Sequence, residues 1–115
     1  MNFGMVVTLR VREGREAEYR AAMTELASFV AATEPDTLLY APFQTRGQMG
    51  IYVVLELYRS EAAHKAHLQN IQGLACFARL AELIAERTCV LSLDPLGDTP
   101  NSELVGAEFR HCSLE

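Results

Sequence analysis

Two residues near the middle of the chain have types that could do chemistry. His67 follows His64 by one helical turn in the run His64-Lys65-Ala66-His67. A histidine titrates close enough to neutrality to take and return a proton during a reaction. Glu56 interrupts the apolar run Gly50 to Tyr58, GIYVVLELY, where an ionised carboxylate is costly unless it is paired or faces a polar cavity. Beside His67 it would orient the imidazole; beside a substrate it would hold a hydroxyl or act as a base with a raised pKa. The plainer readings are a histidine bonded to a backbone carbonyl and a carboxylate paired with Arg10 or Arg59. Tyr58 shares the strand face of Glu56 by the two-residue period. Its hydroxyl is either a substrate contact or a group at the strand end.

Glu61, His64 and His67 fall on one helical face and form a conceivable metal set. Functional metal sites usually need three or four well-spaced ligands, and His111 is remote in sequence; we expect no metal. Tyr40, Phe43, Tyr52, Phe29 and Phe77 lie on elements that would surround a space between a sheet and its helices. A pocket lined this way suits a flat ring, whereas ordinary core packing explains each aromatic taken singly. Met23, Met49 and Cys76 read as core or loop residues. The chain has no GxGxxG, Walker loop or nucleophile elbow.

The elements that must position these residues follow from periodicity. Phe3 to Arg12 alternates as a strand, with Met5, Val7, Leu9 and Val11 on one face. After Glu13-Gly14, a helix is expected from about Arg15 to Thr33, with the stripe Tyr19, Ala22, Met23, Leu26, Phe29, Val30. Glu34-Pro35-Asp36 stops it. Thr37 to Thr45 reads as a second strand whose Pro42 implies an edge or a bulge. Arg46-Gly47-Gln48 then turns the chain into the strand Gly50 to Tyr58. Ser60 is a good N-cap for helical sequence reaching about Glu86, broken near Asn70 or Gly73, with Leu74, Phe77, Leu80 or Ala81, and Ile84 inside. Cys89 to Leu96 reads as the last strand.

The order β-α-β-β-α-β is the ferredoxin-like split motif, an α+β fold with an antiparallel sheet. Helices would cover one sheet face. The third strand carries Ile51, Val53, Leu55 and Leu57 on one side and Tyr52, Val54 and Tyr58 on the other, so both faces are too apolar to meet water. A second copy packed sheet to sheet would cover the exposed face, giving a homodimer. Residues 1–96 make the expected domain, and 97–115 a polar C-terminal tail in which Val105 to Phe109 would add a short strand or lie on a partner subunit.

The 115 residues carry a net charge of -5. Arg10, Arg12 and Arg15 are interleaved with Glu13 and Glu16, so no basic cluster suits nucleic acid. No apolar stretch approaches the ~20 residues that span a bilayer, and no basic-then-apolar leader is evident; a cytoplasmic protein is expected. Cys76, Cys89 and Cys112 are far apart and odd in number, as free thiols are in a reducing compartment.

The run IYVVLELYRSEAAHKAHLQN resembles the signature of the antibiotic biosynthesis monooxygenase family: an apolar strand, Glu-x-Tyr at Glu56 and Tyr58, an acidic Ala-rich turn at Glu61 and Ala62, then a helix bearing His67. Upstream, Glu34-Pro35-Asp36-Thr37-Leu38-Leu39-Tyr40 is similar to the family's Glu-Pro-Gly entry to strand two, with Asp36 in place of Gly. The resemblance covers residues 3–96 and implies a dimeric α+β barrel. It also implies oxidation of a quinol or polycyclic phenol by dioxygen without metal or flavin, so no cofactor is expected. His67 would be the proton acceptor, Glu56 would orient it or the substrate, and Tyr40 and Tyr58 would contact ring oxygens. Tyr52, Phe77, Phe29 and His64 would complete the wall. Other members of the resembled family isomerise small hydroxyketone-like signalling molecules, and a non-catalytic dimeric binding or stress-response module is a third reading. The haem-degrading branch uses an Asn, a Trp and a His; this chain has no Trp and carries Phe77 at the His position.

Overall fold

A computed structural model describes residues 2–96. The expectations for the tail, including the Val105 to Phe109 segment, His111 and Cys112, lie outside the described residues. Strand β1 spans Phe3–Val11, helix α1 Glu16–Thr33, β2 Thr37–Gln44, β3 Ile51–Tyr58, α2 Glu61–Ile71, α3 Ala75–Leu83 and β4 Ile84–Leu93. The four strands form one antiparallel sheet in the order β2-β3-β1-β4. This is the ferredoxin-like arrangement, with the second helical region divided in two. Pro42 sits on the edge strand β2, where a missing ladder donor is tolerated.

Each element follows from a local cause. The stripe of α1 buries Tyr19, Ala22, Met23, Leu26 and Val30 against the sheet residues Leu9, Val11, Tyr52 and Val54. The Ser60 hydroxyl accepts from the Ala63 N–H at 3.1 Å and starts α2. Gln72-Gly73 separates α2 from α3, whose buried face is Cys76, Leu80 and Leu83. Gly50 has φ +78°, a conformation glycine adopts without strain. Its carbonyl accepts from Val11 N–H at 2.8 Å and its N–H donates to Glu16 Oε1 at 3.2 Å, tying the β2–β3 hairpin to α1.

The end of the second helical region differs from the sequence reading. The helix stops at Leu83 rather than near Glu86, and β4 begins at Ile84 rather than Cys89. Leu83 is the last buried position of α3. Beyond it, Ile84 pairs with Val11, Glu86 with Arg10 and Arg87 with Leu9, so sheet pairing overrides the helical leaning of Ala85-Glu86-Arg87.

The helices cover only one face of the sheet. On the other, register places Val6, Leu55 and Ala41 in one row and Thr8, Val53 and Phe43 in the next. Gly4, Leu57 and Leu39 make a third row, and Leu91 and Leu93 flank the array from β4. Phe43 is 54% exposed and Leu91 49%. No helix of the described residues is long and apolar enough to cross a membrane.

Candidate functional site

Pro35 is the residue from which the site is best built. A proline disfavours helix in the residue before it, and Glu34 accordingly leaves α1 with φ -122° and ψ 86°. Its carboxylate is turned beneath α2, where the side chain is only 9% exposed. Three donors meet it: Thr37 Oγ1 at 2.7 Å, Asn70 Nδ2 at 2.8 Å, and His67 Nδ1 at 2.8 Å to Oε1 and 3.1 Å to Oε2. Burial alone would raise its pKa, but the hydrogen bonds from Asn70, Thr37 and His67 outweigh burial and hold the carboxyl below its ordinary range.

An ionised carboxylate only accepts, so Nδ1 of His67 must carry the proton. The imidazole is 2% exposed. Nε2, left as the basic nitrogen of this tautomer, makes no hydrogen bond among the described residues. The ring borders two spaces. Outside is a surface cleft shared with Glu34, Thr37 and Asn70. Inside is a cavity of about 350 Å³ between the sheet and the helices.

That inner cavity has a floor of buried apolar residues, among them Leu9, Leu26, Val54, Ile71 and Leu80. Its mouth is formed by exposed Leu68, Ala81, Arg87 and Val90, between α2, α3 and β4. Glu56 enters from β3 in a row with Tyr40 of β2 and Met5 of β1. Burial pushes the Glu56 carboxyl up, against the lowering effect of the Tyr58 hydroxyl, which donates to Oε1. The cavity is therefore lined by a histidine held by one carboxylate and, separately, by a second carboxyl whose pKa burial raises.

The sequence candidates divide accordingly. His67, Glu56, Tyr40, His64 and Phe77 share the cavity wall. The Tyr40 ring centroid lies 5.0 Å from that of His67. Tyr58 is fully buried behind this wall, 5.3 Å from His67 and 4.9 Å from His64. Burial raises the Tyr58 pKa further, so it acts as a donor to Glu56 and not as an anion. His64 lies against Phe3 and Tyr58, and burial lowers its pKa. Tyr52 is on the same sheet face but at the other end, where its hydroxyl donates to Glu16 at 2.7 Å and accepts from Arg20 at 3.1 Å. Phe29 packs on the core and is not part of the cavity wall. Glu56 does not orient His67; Glu34 does. Nor does Glu56 pair with Arg10 or Arg59, which bind Glu86 and Asp36 on the surface.

Two groups at the site were not singled out as chemical candidates from sequence: Glu34, read as a helix stop and as part of the entry to strand two, and Arg87. Among the described residues no group of three His, Cys, Asp or Glu side chains is placed to hold a metal.

A family model for antibiotic biosynthesis monooxygenases matches residues 2–89. Among solved structures, a candidate antibiotic biosynthesis monooxygenase of Caulobacter crescentus is 33% identical, with 83% of this chain and 90% of that one covered at a TM-score of 0.76. A second, from Chloroflexus aurantiacus, is 23% identical over 86% of this chain and 97% of that one, TM-score 0.72. A third, from Nitrosomonas europaea, is 17% identical over 85% and 93%, TM-score 0.75. Comparison with curated proteins finds no match.

Proposed function

This chain belongs to the antibiotic biosynthesis monooxygenase family, and from that premise we propose that it oxidises a quinol or polycyclic phenol with dioxygen, without a cofactor. The observation that carries the reading is the Glu34–His67 pair at the wall of an apolar cavity. His67 Nε2 takes the phenolic proton, and Glu34 stabilises the imidazolium that results. The electron-rich substrate anion then passes one electron to dioxygen, since the redox capacity resides in the substrate. Superoxide and the substrate radical combine at a ring carbon bearing hydrogen to form a peroxide anion, which takes the proton back from the His67 imidazolium to give a hydroperoxide. Loss of water from that carbon leaves a new carbonyl, with one oxygen atom in the product and the other in water. Glu56 holds a substrate hydroxyl at the cavity wall, and Tyr40 and Phe77 flank the ring. The apolar floor keeps water from the anion. A homodimer, with the uncovered sheet faces packed together, is part of the proposal.

The test is oxygen uptake by the metal-stripped full chain with a dihydroxynaphthalene, beside His67→Ala. Uptake should fall by about 10²–10⁴, the usual contribution of a positioned base. Uptake unchanged in the variant would exclude His67 as the base. A second reading, isomerisation of a hydroxyketone, is favoured by one observation: His67 and Glu56, two groups able to transfer protons, line the same cavity. Turnover under nitrogen would select it.

A further inference from the structure

We propose that Arg87 is a specificity residue, and that the substrate carries a carboxylate on its ring system, held at the cavity mouth by the guanidinium. The inference deepens the proposed function, resting on its reading of this cavity as the substrate site.

Thr8 pairs with Cys89, but Leu9 pairs with Arg87, so Thr88 is an extra residue on β4. Unbroken pairing would have set Arg87 opposite Arg10, on the outer sheet face. The bulge instead places it opposite Leu9, on the cavity face, and Arg87 is part of the cavity wall. Bulges commonly re-aim a side chain beside a functional site. The Thr88 hydroxyl fixes this one by donating to the Thr8 carbonyl at 3.2 Å.

The same shift turns the neighbouring acid away. Glu86 sits opposite Arg10 on the outer face and binds it at 2.9 Å. Arg87 makes no ion pair among the described residues. The acid that shares its cavity, Glu56, is engaged by the Tyr58 hydroxyl and forms no ion pair with Arg87. Glu34 is engaged by its three donors. The cavity, whose wall also holds Glu56, His64 and His67, thus presents at its mouth a guanidinium with no ion-pair partner among the described residues. A guanidinium fork matches a carboxylate bidentately. The volume, about 350 Å³, lies at the low end of small-molecule pockets, roughly 300–1,000 Å³, which suits one or two fused rings.

The experiment compares two redox-inert probes of the same shape, 1-naphthoate and 1-naphthamide, by calorimetry on the full chain. Measurements are made near pH 8, above the ordinary range of imidazolium. The parent should bind the carboxylate about tenfold more tightly, as a charge-assisted hydrogen bond at a partly wet site allows. That preference should shrink as salt is added. In Arg87→Gln the two affinities should converge. Arg87→Lys, which keeps the charge without the fork, should retain part of the preference. Equal binding in the parent, a preference that survives in Arg87→Gln, or binding of neither probe would overturn the proposal. Parent oxygen uptake with an uncharged dihydroxynaphthalene reports separately on the oxygenase reading. No uptake beside an intact naphthoate preference would remove that chemistry and leave the Arg87 subsite standing.

Discussion

At the scale of single residues, the two carboxylates of the site should respond to pH in opposite directions. The folded state holds Glu34 below its ordinary pKa of 4.5. Its contribution to stability is complete above that value and is lost as pH falls through the depressed one. Glu34→Gln should therefore flatten the melting curve's pH dependence below about pH 4.5 and weaken oxygen uptake. An amide nitrogen facing Asn70 or Thr37 opposes one donor to another. Glu56 is raised by burial. Between its ordinary and raised values the folded state binds more protons than the unfolded one, so stability falls as pH rises through that window. Glu56→Gln keeps an acceptor for Tyr58, and its Tm should gain on the parent as pH increases. A loss at alkaline pH would mean that the ionised form is stabilising instead. His67 and Glu56 were legible because their types stand out against their neighbours. Glu34 was not, because Pro35 explained it as a helix stop and its partner lies 33 positions away. Tyr52 was placed on the correct sheet face, but a period of two says nothing about which end of a strand a cavity occupies.

At the scale of elements, α2 carries both cavity histidines and depends on a cap at its first turn. Ser60→Ala removes the acceptor for Ala63 N–H and should cost about 0.5–2 kcal/mol, read as a lower urea midpoint with an unchanged m-value. Oxygen uptake per folded molecule should fall much less, because His67 remains held by Glu34. An equal fall in both would show that the cap sets the histidine's position as well as the helix's stability. Strand and helix order was readable throughout, since β1 sets Met5, Val7, Leu9 and Val11 on one face, β3 is a run of β-branched and aromatic residues, and α1 carries a continuous stripe. The α3–β4 boundary was not readable. Ala85-Glu86-Arg87 has helical composition, and only β1, more than seventy residues earlier, draws it into the sheet. The bulge at Thr88 is equally silent, because a register shift belongs to a pair of strands and is written in neither alone. Arg87 escaped notice for that reason.

At the scale of the whole molecule, the uncovered sheet face is the largest unbalanced feature. Val6, Ala41 and Leu55 form one row at its centre, with Val53, Phe43, Leu57, Leu91 and Leu93 around them. Apolar surface of this extent is rare on a monomer. It was already visible in sequence as a third strand apolar on both sides. An apolar sheet face of this kind is most simply covered by a two-fold partner, and a stable interface of standard size buries about 1,200–2,000 Å². Leu55 lies between Val6 and Ala41, so in the proposed sheet-to-sheet dimer Leu55→Asp would bury a carboxylate from each subunit. Each would lack a counterion among the row's apolar neighbours, a cost that interface burial does not offset. Light scattering at micromolar concentration should give twice the chain mass for the parent and the chain mass for the variant. The helix-covered face is untouched by the change, so circular dichroism of the variant should retain the helical signal. A monomeric parent would refute the sheet-to-sheet dimer. A dimeric Leu55→Asp would move the interface to another surface, and the apolar rows would then need a different cover.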